Sequence, residues 1–139
     1  MTVLVADELE LVTPLCDHGI GKLITSPTSP DLIAGVKIGA VQLWPDDRGY
    51  FLEIARLGQG ISADFPHEST QVSAALSYPG TIKAFHFHRH QTDCWAPAQG
   101  MLQVALVDLR LNSATYGAKN TLYVGTLRAW QMLIPPGVA

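Results

Sequence analysis

Three histidines occupy alternate positions of one short segment, as His86, His88 and His90. The alternating pattern of residues 81–90 predicts a β-strand, in which successive side chains point to opposite faces. The three imidazoles are therefore expected on one surface, within about 14 Å of one another. Such a surface can bind a metal ion through neutral imidazole, or can move a proton, because imidazole titrates near neutrality.

A further candidate ligand, Asp93, follows these histidines closely. One hypothesis is that His86, His88 and Asp93 form a three-ligand site with open positions for a divalent ion such as Zn, Mn, Fe or Ni. A structural interpretation stays open, since strand histidines also line polar grooves or hydrogen-bond to neighbouring strands. That interpretation is favoured for His90, which lies at the end of the predicted strand.

The composition predicts one globular domain. The chain has 139 residues, and its 47% apolar and 15% charged residues suit a folded core better than a disordered chain. Its 9 Lys and Arg against 12 Asp and Glu leave a net charge of −3, so no nucleic-acid partner is expected.

The same sequence argues against a membrane protein and against a disulfide framework. No stretch approaches the roughly 18 apolar residues of a membrane span. Residues 1–11 carry three acidic side chains and no basic one, which is unlike a secretory signal. The two cysteines, Cys16 and Cys94, form no motif and indicate a reduced, cytoplasmic protein.

Short apolar segments separated by turn residues recur along the chain, which is typical of an all-β sandwich, jelly roll or barrel. Residues 1–30 are interpreted as an N-terminal arm and residues 31–139 as the single domain. Strands are predicted at 35–44, 50–57, 71–76, 81–90, 101–110, 120–124 and 129–134. Asp108 and Arg110 lie two residues apart in one of these strands and are interpreted as a structural ion pair.

Two sets of motifs resemble a known family. Pro79-Gly80, His86-x-His88, Asp93 and Gly100 resemble the first motif of the cupins. Within the cupins the chain is similar to the dTDP-4-dehydrorhamnose 3,5-epimerases, through four blocks at residues 46–53, 80–88, 100–117 and 134–137. The resemblance implies a double-stranded β-helix (jelly roll), truncated at its C-terminus, and a homodimer that exchanges N-terminal strands.

The resemblance also implies a reaction and a set of site residues. The family moves protons at C3 and C5 of a 4-keto sugar on a nucleotide diphosphate, and it requires no cofactor. His86 matches the family's general base. The positions that match the family's substrate-binding residues are Arg48, Phe51, Glu53, Gln71 and Lys83.

Departures from the family pattern keep three hypotheses open. Lys83 replaces an arginine that contacts phosphate, and Ser73 replaces an asparagine. Asp93 replaces a lysine near the sugar, where a carboxylate opposes an enolate unless a metal intervenes. The family's acid, a tyrosine, and the aspartate that orients its histidine have no match in these residues. The chain is thus expected to be an epimerase relative with reduced or altered activity, a metal-binding cupin, or a non-catalytic carbohydrate-binding or assembly domain.

Overall fold

The computed structural model describes residues 19–139 in full and the backbone of residues 3–6 and 9–12. Within these ranges it contains ten strands and one short 3-10 helix, Gly60–Ser62, so the prediction of an all-β protein is confirmed. The strands are β1 (Val3–Ala6), β2 (Leu9–Val12), β3 (Lys22–Leu23), β4 (Lys37–Ala40), β5 (Leu43–Asp46), β6 (Gly49–Leu52), β7 (Asp93–Trp95), β8 (Met101–Val107), β9 (Lys119–Gly125) and β10 (Trp130–Ile134). No helix in the described part of the chain is long and apolar enough to cross a membrane. The rest of the predicted arm, including Cys16, lies outside the described residues.

The strands form two three-stranded sheets and two hairpins. One sheet has the order β4-β10-β7, and the other has the order β3-β9-β8. β1 pairs with β2 and β5 pairs with β6, both antiparallel. After β10 the chain returns to the second sheet, where Val107 and Ala139 exchange backbone hydrogen bonds of 2.7 and 2.9 Å. β10 and the residues after it therefore link the two sheets.

The core lies between these two sheets. β9 is the central strand of its sheet, between β3 and β8, and it is buried at Asn120, Thr121, Leu122 and Val124. The apolar core residues are Ile24, Ile33, Val36, Val104, Leu106, Leu122, Val124, Met132, Ile134 and Val138. Most of them come from β8, β9, β10 and the segment before β4, so these elements form the rigid part of the molecule.

A buried carboxylate, that of Asp108, lies directly after the end of β8. Asp108 is 0% exposed and accepts hydrogen bonds from Arg110 Nε at 2.8 Å, Ser113 Oγ at 2.6 Å and Thr115 Oγ1 at 2.7 Å. Arg110 also donates to the carbonyl of Ala34 at 2.6 Å. The guanidinium holds the pKa of Asp108 well below its usual range, and the carboxylate raises the pKa of Arg110. The predicted ion pair is confirmed, and it ties the loop after β8 to the segment before β4.

The predicted strands at 71–76 and 81–90 are wrong. The chain forms no strand between Leu52 and Asp93, and side chains that the alternating pattern predicted as half-buried are open, with Val72 88% and Ile82 89% exposed. A strand forms only where a partner supplies a ladder of hydrogen bonds and a covering face. The sheets of the described residues include neither segment, and the backbone hydrogen bond from Gly137 to the carbonyl of His88 does not continue into a ladder. The short strand β7 was not predicted.

We expect Asp108→Asn to lower the free energy of unfolding by about 2–4 kcal/mol at pH 7, because it leaves the partly buried Arg110 without its charged partner. Urea denaturation of the full chain measures this. Asp46→Asn is the matched control, since Asp46 forms an exposed pair with Arg48 and its loss is expected to change stability little.

The stability difference between the wild type and Asp108→Asn should also depend on pH. Because folding lowers the pKa of Asp108, its contribution is present in full above the unfolded value of about 3.9 and is lost as the pH falls towards the folded value. The stability difference between the wild type and Asp108→Asn should be constant near neutrality and narrow below about pH 4. Equal stabilities at pH 7 would contradict this account.

Candidate functional site

The structure brings His86, His88 and Asp93 together. One ligand atom from each lies within 4.8 Å of the other two. Nε2 of His88 is 3.4 Å from Oδ2 of Asp93, and the two imidazole centroids are 5.9 Å apart with their planes at 77°. The predicted convergence of these side chains is therefore present, although the histidines lie on an irregular segment and not on a strand.

The core positions this cluster through β10. Asp93 begins β7 and is paired with Ile134 of β10. The backbone amide of Gly137 donates to the carbonyl of His88 at 2.9 Å, which holds the histidine segment against the same part of the fold. Gln91 Nε2 donates to Oδ1 of Asp93 at 2.7 Å, so the carboxylate presents Oδ2 to His88.

His86 lies at the outer side of the cluster. Its imidazole is exposed and packs against the indole of Trp95, with centroids 6.0 Å apart and planes at 34°. Trp95 is half-buried beside the core. A flat apolar surface thus lies next to an imidazole that solvent or a ligand can reach.

The hairpin β5–β6 carries two of the predicted substrate-binding residues on its surface. Arg48 forms an ion pair of 2.6 Å with Asp46, and the guanidinium lowers the pKa of that carboxyl. Phe51 is 66% exposed and lies 5.7 Å from Trp44 between ring centroids. A cation and two aromatic rings are therefore available to a ligand on this hairpin.

The other three predicted substrate-binding residues are also exposed. Glu53 pairs with Arg56, and Gln71 Nε2 donates to Ser73 Oγ at 2.9 Å. Lys83 forms no ion pair with any residue in 19–139. Within that range no hydrogen bond, ion pair or ring contact joins Arg48, Phe51, Glu53, Gln71 or Lys83 to the histidine cluster, so one chain does not assemble all the predicted residues in direct contact.

Two residues that contact the cluster were not predicted for those contacts. Gln91 orients Asp93, and Trp95 packs on His86. Gln91, Asp93 and Trp95 are two residues apart, and this spacing is the only sequence signal for a shared face. His90 is exposed and contributes no ligand atom to the cluster, in agreement with the structural interpretation.

Two open grooves of the described chain lie at other residues. One, of about 940 Å³, is lined by Gly21, Lys22, Pro30, Asp31 and residues 114–120. The other, of about 410 Å³, is lined by Ala34, Gly35, Arg110 and residues 112–114. Neither includes a predicted site residue. Since the titratable cluster carries the chemistry, we regard the cluster and not the grooves as the candidate site.

Comparison with known proteins places the chain in a family. The family model for dTDP-4-dehydrorhamnose 3,5-epimerase matches residues 31–139. The spore coat polysaccharide biosynthesis protein SpsL of Bacillus subtilis (strain 168) is 42% identical over 108 residues, which are 78% of this chain and 69% of SpsL.

Two solved structures are similar as well. The dTDP sugar isomerase from Desulfovibrio desulfuricans G20 has a TM-score of 0.63 at 27% identity, covering 76% of this chain and 66% of that one. The dTDP-4-dehydrorhamnose 3,5-epimerase from Bacillus anthracis str. Ames, with TDP and PPi bound, has a TM-score of 0.59 at 24% identity, covering 80% and 65%. The second likeness supports the fold alone. The chain spans about two thirds of the length of these relatives.

These matches confirm the cupin fold, whereas its predicted shortening at the C-terminus stays a prediction. The resemblance of the four sequence blocks is confirmed by a model match that runs through all of them and through the histidine cluster. The chain belongs to the dTDP-4-dehydrorhamnose 3,5-epimerase family.

Proposed function

We propose that the chain is an epimerase or isomerase of a nucleotide-diphosphate 4-keto sugar, with His86 as the general base. The observation that carries this proposal is an exposed imidazole beside Trp95, within the region that the family model matches. Two names among the relatives support the substrate class: SpsL is a spore coat polysaccharide biosynthesis protein, and the Desulfovibrio desulfuricans protein is a dTDP sugar isomerase.

The chemistry needs a base that can reach a carbon next to a ketone. The ketone acidifies that C–H bond, the base removes the proton, and the enolate takes a proton back on its opposite face. The imidazole of His86 is exposed to a ligand, and the half-buried indole of Trp95 lies beside it. The indole gives the sugar ring an apolar surface on which to lie.

Binding of the nucleotide diphosphate is assigned to the exposed side chains that match the family's substrate-binding positions. Lys83 lies three residues before His86 and supplies a cation for a phosphate, without the bidentate geometry of arginine. Arg48 and Phe51 offer a guanidinium and an aromatic ring on the β5–β6 hairpin. Glu53 and Gln71 complete the proposed set as hydrogen-bonding groups.

We also propose that the protein is a homodimer. Six large apolar side chains of the segment 72–87 are exposed. Their exposed fractions are 88% for Val72, 80% for Leu76, 77% for Tyr78, 89% for Ile82, 55% for Phe85 and 47% for Phe87. An exposed apolar surface of this extent is typical of an interface. The lack of contact between the β5–β6 hairpin and the histidine cluster in one chain also supports the proposal, because in a dimer the hairpin of a second copy would be able to reach the cluster. A reduced, cytoplasmic location rests on the free thiol of Cys94 alone.

We expect His86→Ala to lower the exchange of solvent deuterium into a dTDP-4-keto-6-deoxy sugar by at least about 100-fold, because the general base is lost. Mass spectrometry or proton NMR of the sugar measures the exchange. His90→Ala is the control, since His90 is exposed, close in sequence and outside the cluster. Ligand binding without exchange in the wild type would instead indicate a non-catalytic carbohydrate-binding domain.

Lys83→Ala should weaken the binding of dTDP by roughly 5- to 30-fold, the effect of losing about 1–2 kcal/mol of charge-assisted interaction. Isothermal titration calorimetry with dTDP measures the Kd. Lys37→Ala removes an exposed lysine of β4 and should leave the Kd unchanged. An equal loss in both variants would show that only the net charge of the protein matters.

Ile82→Asp should convert the dimer to a monomer at micromolar concentration, because it introduces a charge into the proposed interface. Analytical ultracentrifugation measures the mass. Leu127→Asp is the matched control, since Leu127 is equally open, at 88% exposed, and lies outside the segment. A wild-type chain that sediments as a monomer would contradict the proposal.

A further inference from the structure

We propose that His86, His88 and Asp93 bind a divalent transition-metal ion such as Zn²⁺, and that the bound ion suppresses proton abstraction by His86. The metal site stands on the geometry of the cluster. Its regulatory effect rests on the proposed function, because that function makes His86 the base.

The distances in the cluster suit ligands of one ion. Two ligands that lie about 2.05 Å from a tetrahedral ion are about 3.3 Å apart. Nε2 of His88 and Oδ2 of Asp93 are separated by 3.4 Å, which is longer than the usual hydrogen bond between such atoms. The third ligand belongs to the exposed imidazole of His86, and one ligand atom from each of the three residues lies within 4.8 Å of the other two.

The residues around the three ligands hold them in positions that suit the binding of a cation. Gln91 holds Oδ1 of Asp93 and leaves Oδ2 directed at His88, which is how outer residues commonly orient metal-binding carboxylates. The pairing of β7 with β10 and the hydrogen bond from Gly137 to His88 hold two of the ligands on the rigid part of the fold. Two imidazoles and one carboxylate with open positions form a set that Zn²⁺, Fe²⁺ and related ions accept.

Metal binding and base catalysis compete for the same electron pair. A neutral imidazole has one nitrogen that carries a proton and one nitrogen with a free lone pair. When that lone pair of His86 binds a metal ion, no nitrogen of the ring is left to accept a proton from the sugar. Occupancy of the site should therefore reduce exchange in proportion to the fraction of chains that hold the ion.

A titration of the chelator-treated full chain with Zn²⁺ tests the site, with a chromophoric chelator as competitor. We expect one ion per chain. Asp93→Asn and His88→Ala should weaken binding by at least about 10-fold, and Gln91→Ala by roughly 10-fold, as is usual for an outer residue. His90→Ala and His67→Ala should leave the affinity unchanged, because these exposed histidines lie outside the cluster. Circular dichroism of each variant checks that it is folded, and the isosteric Asp93→Asn change is the mildest of them.

Deuterium exchange measured with and without Zn²⁺ tests the regulatory effect. The ratio of the two rates is compared within each variant, so that the variant's own activity does not enter. In the wild type we expect exchange to fall as the site fills. In Asp93→Asn the same fall should need at least about 10-fold more Zn²⁺, which also separates the effect from binding of Zn²⁺ to the substrate's diphosphate.

Each outcome decides one part of the proposal. No bound Zn²⁺, or an affinity that His90→Ala lowers as much as His88→Ala, would overturn the metal site. Exchange that is unchanged or faster at full occupancy would overturn suppression. If the metal-free chain shows no exchange at all, the proposed function and the suppression fail together, whereas the titration still decides whether the site binds metal.

Discussion

Strand β10 hydrogen-bonds to β7 with Ile134 opposite Asp93, and three residues later the amide of Gly137 donates to the carbonyl of His88. These hydrogen bonds hold strand β7 and the histidine segment next to each other, although neither belongs to the buried core. The carboxylate comes from a strand of only three residues, and the imidazoles come from an irregular segment. Without these backbone hydrogen bonds neither segment has a fixed position relative to the other. The candidate site depends on this attachment.

The rigidity behind the attachment comes from the C-terminal half of the chain. β8, β9 and β10 supply most of the buried apolar side chains, and the carboxylate of Asp108 closes the end of β8 with one guanidinium and two hydroxyl groups. A buried charge of this kind costs desolvation energy and is tolerated only when its hydrogen bonds are complete. The hairpin β5–β6 and residues 53–92 lie outside that core, and they carry all five of the predicted substrate-binding residues.

Asp93 is the predicted departure from the family pattern that bears most directly on the chemistry. The family's chemistry develops negative charge on the sugar oxygen, and a carboxylate close to that charge raises its energy unless a cation lies between them. The structure shows Asp93 turned towards His88 and oriented by Gln91. The negative charge is therefore part of a defined arrangement with two imidazoles, and this arrangement is the basis of the proposed competition between a proton and a metal ion at His86.

The sequence by itself determined the fold class, the family and the three strands β8, β9 and β10, because the apolar residues that alternate in those strands find their partners within the chain. It also predicted the Asp108–Arg110 pair from their spacing, although β8 ends at Val107 and the two residues meet in the segment after the strand. The same alternation at 81–90 gave the wrong prediction, because a strand needs a neighbour and the periodicity of one segment carries no information about whether a neighbour exists. Only the tertiary structure decided that His88 and Asp93 meet at β10, that Gln91 turns the carboxylate and that Trp95 supports His86. Each of these contacts depends on where the chain returns in space, which the spacing of residues does not specify.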